Sequence, residues 1–238
     1  MANFILKSAL KKLGYSKEAI ENGIRKPSCP VEYAAEDFLE CFLNHLTIIG
    51  DSREQDDWIG KACNYYGIAF EKAVKDKKAG TENLKEGDYT FEVRFGDRII
   101  SYRGVVAYER KGSLSEIYNN LKSGDRDRIE REFGRFIDKG YKKVVLVLEY
   151  GCNMSDLLDG KFEFIDHNGM YQDRNVSKLV YASLMSWKQP NAFGFEIYQN
   201  TDHLKTFWWI VTDMFYYFRN DIKNAIKRKE SEENGKVD

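Results

Sequence analysis

The chain has 238 residues, with 37 Lys and Arg against 38 Asp and Glu, and is 42% hydrophobic and 14% aromatic. That supplies a core for one good-sized domain and excludes global disorder. A net charge of −1 excludes an overall basic field of the kind that marks many nucleic-acid binders, while leaving room for a local basic face.

The first part reads as helical. "NFILKSALKKLG" stops at Gly14, "SKEAIENGIRK" starts at an N-capping Ser16, and "VEYAAEDFLECFLNHL" follows Pro30. A short strand, "LTIIGDSRE", is followed by a helix "QDDWIGKACNYYG" that ends at Gly67, and then by a strand "IAFEKAV". After the polar loop "KDKKAGTEN", glycines divide "LKEGDYTFEVRFGDRIISYRGVVAYERKG" into two or three adjacent strands. Two helices come next, "SLSEIYNNL" and "DRDRIEREFGRFIDKGY", and then the apolar strand "KKVVLVLEYG". A loop and "SDLLDG" lead to a helix near "VSKLVYASLMSW", a strand "GFEIYQN", and a long helix from about Asp202 to Ala225. The order implies an α/β fold with a mixed central sheet flanked by helices.

The four cysteines, Cys29, Cys41, Cys63 and Cys152, form no C-x-x-C pair and fit reduced thiols in a cytoplasmic protein. The N-terminus lacks the apolar core and cleavage site of a signal peptide. The most apolar run, "FWWIVTDMFYYF", is too short to span a bilayer and contains Asp213, so a soluble protein without a membrane partner is expected. His45, His167 and His203 are isolated and read as structural or surface residues.

Several acids fall at strand ends. Asp51 ends "TIIGD", Asp88 opens the strand after "LKEG", and Glu109 and Lys111 close "VVAYERKG". Strand alternation puts Glu109 and Lys111 on one face and Arg110 on the other. Carboxylates gathered at neighbouring strand ends suit Mg²⁺, a hard cation that takes oxygen ligands and keeps exchangeable waters. A lysine on the same face could hold an attacking water and offset phosphate charge. By spacing alone, E-x-K on a strand is more often a surface ion pair.

The set "GDSRE", "LKEGDYTF", "VVAYERKGSLSEIYNNL", "DRDRIEREFGRF" and "YKKVVLVLE" resembles the XPF-type nuclease domain of the PD-(D/E)XK superfamily, with the likeness nearest to compact phage and prophage members. It runs in order from about Thr47 to Glu149, and more loosely towards the C-terminus. The resemblance implies a restriction-endonuclease-like fold over residues 47–226, with an N-terminal helical extension (1–46) and a solvated tail (227–238). It implies a DNA endonuclease using Mg²⁺, with Mn²⁺ able to substitute, in a bacterial or phage-infected cell, and leaves a homodimer open. Asp88, Glu109 and Asp51 would be metal-binding and catalytic carboxylates, and Lys111 the catalytic lysine. Arg53, Arg110, Glu116 and Arg128 would contact substrate, with Glu54 on the same rim.

Two features depart from the family pattern. The acid expected after E-R-K falls at Ser115, so Glu116 fits only after a one-residue shift, and Arg128 is followed by Glu132 where the family has glutamine. Asp97 in "RFGDR" competes with Asp88 but reads as a hairpin turn. Relatives often prefer branched or flap DNA, and many carry a helix-hairpin-helix module that grips the duplex, of which there is no convincing equivalent here. The alternatives are a catalytically inactive DNA-binding or scaffold subunit and a Holliday-junction resolvase on the same fold. On the helix 125–140, Ile129, Phe133, Phe136 and Ile137 fall on one side and Arg128, Arg131, Arg135 and Lys139 on the other. The aromatics of the C-terminal helix read as core or dimer interface in preference to a nucleobase-stacking surface.

Overall fold

A computed structural model describes residues 11, 39–54, 57–74, 83–84, 86–122, 126–149, 154–166, 169–172 and 174–234. Helix α1 (Leu39–His45) leads into strand β1 (Leu46–Asp51), helix α2 (Trp58–Tyr66) and strand β2 (Ala69–Ala73). Strands β3 (Tyr89–Phe95), β4 (Arg98–Ser101) and β5 (Val106–Lys111) follow, then helices α3 (Leu114–Lys122) and α4 (Arg126–Asp138). Strand β6 (Lys143–Leu148), helix α5 (Met154–Asp159), the hairpin β7 (Glu163–Asp166) and β8 (Gly169–Gln172), helix α6 (Arg174–Trp187), strand β9 (Glu196–Gln199) and helix α7 (His203–Asn234) complete it. The central sheet has seven strands in the order β2-β1-β3-β5-β6-β9, with β4 paired to β3. β1 and β2 are parallel, β3 is antiparallel to both β1 and β5, and β5, β6 and β9 are parallel. The expected mixed sheet flanked by helices is therefore present.

Alternation along the strands sorts side chains into two cores. Val106, Tyr108, Val145 and Val147 face α1, α2 and α7, where Phe42, Trp58, Trp208, Met214 and Phe218 pack. Ala107, Val144, Leu146 and Leu148 face α3, α4 and α6, where Ile117, Phe133, Phe136, Leu184 and Trp187 pack. Glu109 and Lys111 share the parity of Ala107 and therefore lie on the α3/α4 face; Arg110 lies on the α2/α7 face.

Three details differ from the sequence expectation. The 227–238 tail is helical as far as Asn234, because Arg228/Glu232 and Lys229/Glu233 place opposite charges one turn apart. The β7–β8 hairpin lies in a stretch expected to be irregular. Ile137 is 49% exposed although Ile129, Phe133 and Phe136 are buried, since it sits at the edge of the α4 apolar stripe. The N-terminal extension, the loop 75–82, Cys29, Cys152 and His167 lie outside the described residues, apart from residue 11 and residues 39–46. In α7, Phe207, Trp208, Phe215 and Phe218 are buried core, while Tyr216 is 42% exposed. No helix among the described residues is long and apolar enough to cross a membrane.

α7 is tied to the sheet by Asp213, which accepts hydrogen bonds from Tyr108 Oη at 2.7 Å and Lys143 Nζ at 2.7 Å. Asp213→Ala would leave the buried Tyr108 phenol without its acceptor and the Lys143 ammonium with Glu196 alone, 3.0 Å away, costing about 1–3 kcal/mol in urea unfolding. Adding Lys143→Met to that variant should recover part of the loss.

Across β2, β1 and β3, Arg94 bonds Glu71 Oε2 at 2.8 Å and Glu92 Oε2 at 2.7 Å, and Arg103, just after β4, bonds Glu92 Oε1 at 2.8 Å. The bond from Arg94 holds Glu71 below the ordinary glutamate value. Burial pushes Glu92 up, but its bonds from Arg94 and Arg103 outweigh that and leave it lowered. A depressed folded pKa gives stability that is fully present above the unfolded value, about 4.3, and is lost as pH falls through the folded values. The melting temperature should therefore fall below about pH 4.3, and Arg94→Met should flatten part of that fall.

Candidate active site

β1 and β5 end, and β3 begins, at the same edge of the sheet. Asp88 stands just before β3 and joins the other two. Asp51 N–H donates to the Asp88 carbonyl at 2.8 Å, and Asp88 N–H donates to the Tyr108 carbonyl at 3.0 Å. Its side chain takes up the next position, where Oδ2 accepts from Arg110 N–H at 2.7 Å. The bonds to Tyr108 and Arg110 bracket Glu109. Asp51, Asp88 and Glu109 line one cavity of about 260 Å³, together with Glu54, Glu86 and Glu132. Six carboxylates there face two guanidiniums, Arg53 and Arg135.

Glu109 is 5% exposed and Lys111 8% exposed, and Lys111 Nζ donates to Glu109 Oε1 at 2.8 Å. Glu116 Oε1 lies 3.6 Å from the same ammonium. Burial raises the Glu109 pKa and Lys111 only partly offsets it. Asp88 is pushed well above the ordinary aspartate value, first by burial and then by the neighbouring Glu109 charge. Burial opposes the charge on Lys111, but Glu109 and Glu116 overcome that and raise its pKa, so it is held as an ammonium. Glu116 also belongs to the start of α3. Its N–H donates to Ser113 Oγ at 3.1 Å, and its Oε2 accepts from Gly112 N–H at 3.1 Å, a variant of the capping box. Ser-x-x-Glu was readable as this cap, which gives Glu116 a structural role beside the lysine.

The other expected site residues are placed as follows. Asp51 is 2% exposed, and Arg53 takes both its carboxylate oxygens: Oδ1 from N–H at 2.8 Å and Nε at 3.0 Å, Oδ2 from a guanidinium nitrogen at 2.6 Å. Burial pushes Asp51 up, but the Arg53 bonds outweigh it and leave its pKa lowered. Arg110 sends its side chain through to the opposite face, where it meets Glu149 and Glu54. Arg128, expected to turn towards the site, is exposed and donates to Asn120 Oδ1 at 2.8 Å; the α4 side chains at the cavity are Glu132 and Arg135. Residues 128, 132 and 135 do share one helix face, but Arg128 lies about 10 Å along the axis from Arg135. Asp97 is exposed in the β3–β4 turn, at the far end of β3 from Asp88. Glu86, part of "LKEGDYTF" but given no role from sequence, is buried and receives Arg135 Nε at 3.0 Å and the Lys139 ammonium.

The donor set fits a hard divalent cation in part. Asp88 and Glu109 are adjacent carboxylates with raised pKa values, and Asp88 Oδ1 and Glu109 Oε2 accept no hydrogen bond from the described residues. A cation between them would relieve both the repulsion and the desolvation. Among the described residues no three His, Cys, Asp or Glu side chains are already gathered as a ligand set. Asp51 could add a third only by exchanging Arg53 for the ion.

Neither a family model nor a curated protein sequence matches the chain. Among solved structures, it is similar to XPF from Aeropyrum pernix, with a TM-score of 0.47 and 14% identity over 76% of this chain and 69% of that one. It is also similar to XPF from Aeropyrum pernix in complex with DNA, with a TM-score of 0.46 and 15% identity over 74% and 65%.

Asp88 is aimed by the glycine before it. Gly87 has φ +78°, and a Cβ there would stand 2.9 Å from Ala107 Cβ. Gly87→Ala should cost about 1–3 kcal/mol in thermal unfolding. Gly134→Ala, in α4 with nothing within 4 Å of the added methyl, should instead stabilise by about 0.5–1 kcal/mol.

Proposed function

We propose that this chain is a metal-dependent DNA endonuclease that hydrolyses phosphodiester bonds, with branched or flap DNA as its preferred substrate. The observation that carries the reading is the meeting of Asp88 and Glu109 in one acidic cavity, with Lys111 hydrogen-bonded to Glu109. The sequence likeness to XPF-type nucleases assigns the same three residues to that chemistry. A cavity with this excess of carboxylates would repel phosphate on its own. A phosphodiester fits there only once cations have offset the charge.

Asp88 and Glu109 would hold Mg²⁺ or Mn²⁺, and Asp51 would join them on release from Arg53. When bound, the ion supplies Lewis-acid stabilisation of the charge that develops on the phosphate oxygens. Lys111, held protonated, serves as a hydrogen-bond donor that positions the attacking water and does not act as the base. The water gives up one proton to solvent as its oxygen bonds to phosphorus, the bond to the 3′-oxygen breaks, and that oxygen leaves with the electron pair and takes a proton from solvent. A 5′-phosphate results. Outside the cavity, the exposed Arg128 and Arg131 of α4 offer contacts to the phosphate backbone that carry no sequence information.

The test is cleavage of end-labelled duplex, single-stranded, flap and four-way DNA, with and without Mg²⁺ or Mn²⁺. Metal-dependent nicking is expected, with flap and four-way substrates cut faster than duplex. Asp88→Asn, Glu109→Gln and Lys111→Ala should each lower the rate by about 10²–10⁴-fold, with the melting curve retained in the two carboxylate-to-amide variants. Wild-type rates in these variants, or metal-independent binding with no nicking, would overturn the reading; the second result would identify a silent DNA-binding subunit.

A further inference from the structure

Resting on the endonuclease reading, we propose that Glu149 is a positioning residue that aligns the site from the reverse face of the sheet. Glu149 follows β6 and is 0% exposed. Its carboxylate grips the Arg110 guanidinium at two points, from Nε to Oε1 and from a terminal nitrogen to Oε2 at 2.8 Å. Trp58 Nε1 donates to Oε1 at 2.6 Å, and His203 Nε2, whose ring stacks on Trp58, stands 3.6 Å from Oε2. The Glu149 amide in turn donates to the Lys111 carbonyl at 3.2 Å. One residue thus holds the side chain of Arg110 and the peptide of Lys111 together.

The consequence reaches the cavity by two routes. The Arg110 N–H is the donor to Asp88 Oδ2. A guanidinium pinned by two bonds fixes the backbone from which that N–H projects. The remaining arm of Arg110 bonds Glu54 Oε1 at 2.8 Å, and Glu54 lines the cavity. Arg110 therefore acts as a tie through the sheet and not as a cation offered to substrate, which corrects its expected substrate-binding role. An apolar pair would fill the same space without the cost of burying charge. It could not aim the Arg110 amide or retain Glu54. Supporting partners of this kind typically alter metal affinity by 10–100-fold when changed.

The experiment compares the full chain with Glu149→Gln and Trp58→Phe in three measurements. The first is amide hydrogen exchange at Arg110 in metal-free protein by NMR. The second is Mn²⁺ binding by calorimetry, and the third is kcat and KM on the preferred DNA. Glu149→Gln is expected to exchange the Arg110 amide on the order of tenfold faster. It should bind Mn²⁺ about 10–100-fold more weakly and lose kcat with KM for DNA unchanged. Trp58→Phe, which removes one donor to Glu149 and keeps the ring, should shift exchange and affinity the same way by a smaller factor, and decides the matter if Glu149→Gln does not fold. Unchanged Arg110 exchange and unchanged Mn²⁺ affinity in the folded variants would overturn the proposal. A wild-type chain that binds no Mn²⁺ would sink the endonuclease reading instead, while the exchange data would still report whether Glu149 orders Arg110.

Discussion

The sheet is built from two halves, and the joint between them is the constraint on which the rest depends. β2, β1, β3 and β4 form one half; the parallel strands β5, β6 and β9 form the other. β3 and β5 share a single register pair, Tyr89 with Tyr108. Beyond it the ladder opens, and the Thr90 hydroxyl spans the gap by donating to the Val106 carbonyl at 2.7 Å. On the other side of the pair, Asp88 supplies the bonds with its backbone and then its carboxylate. Were Asp88 displaced, the strand ends that carry Asp51 and Glu109 would lose their common anchor. The residue that defines the cavity is thus also the one that fastens the two halves of the sheet.

Electrostatics then divides the strand end between two faces. Glu109 and Lys111 turn towards the cavity, while Arg110 turns away and is neutralised by Glu149 and Glu54. On the cavity side one ammonium stands beside Glu109 and Glu116, and among the described residues Asp88 Oδ2 accepts from a backbone N–H, that of Arg110. The deficit of positive charge is therefore local to the Asp88–Glu109 pair. Arg53 and Arg135 do not fill it, because each is committed to another carboxylate, Asp51 and Glu86 respectively.

Much of this was legible in the sequence, for identifiable reasons. Alternation in "VVAYERKG" is a local rule, so the opposite facing of Arg110 and Lys111 could be read directly. Gly67 marked the end of α2 through its left-handed φ of 71°. The joining of Asp51, Asp88 and Glu109 is non-local; spacing alone did not give it, and only the family likeness put those segments in order. Arg110's partner Glu149 is 39 residues away and carries no nearby signal, so alternation shows that Arg110 faces away from Lys111 but not what it meets there. Helix phase placed Arg128 on the right face, but its position along the axis depends on how α4 docks, which a periodicity cannot tell. The charged end of α7 looked like a solvated tail because exposure and helicity are separate properties, and the composition speaks only to the first.

The chemistry of the cavity bears on whether the site is active or vestigial. Burying Asp88 beside Glu109 raises both pKa values, which means that folding works against two charges it does not fully compensate. For a scaffold, Asn and Gln at these positions would occupy the same space with the same backbone bonds and without that penalty. Keeping both acids makes physical sense if something positively charged enters between them, since the binding energy of a divalent ion then offsets the cost of burying the pair. The same reasoning separates the cavity from the Arg94 cluster, where Glu71 and Glu92 each have a cation and both are held below the ordinary glutamate value; Asp213 stands between the two cases, raised by burial although Lys143 and Tyr108 bond it. Two adjacent raised carboxylates at a concave strand end, beside ion pairs such as Arg94 with Glu71 and Glu92 that are matched among the described residues, are the arrangement that a cation-binding role would require.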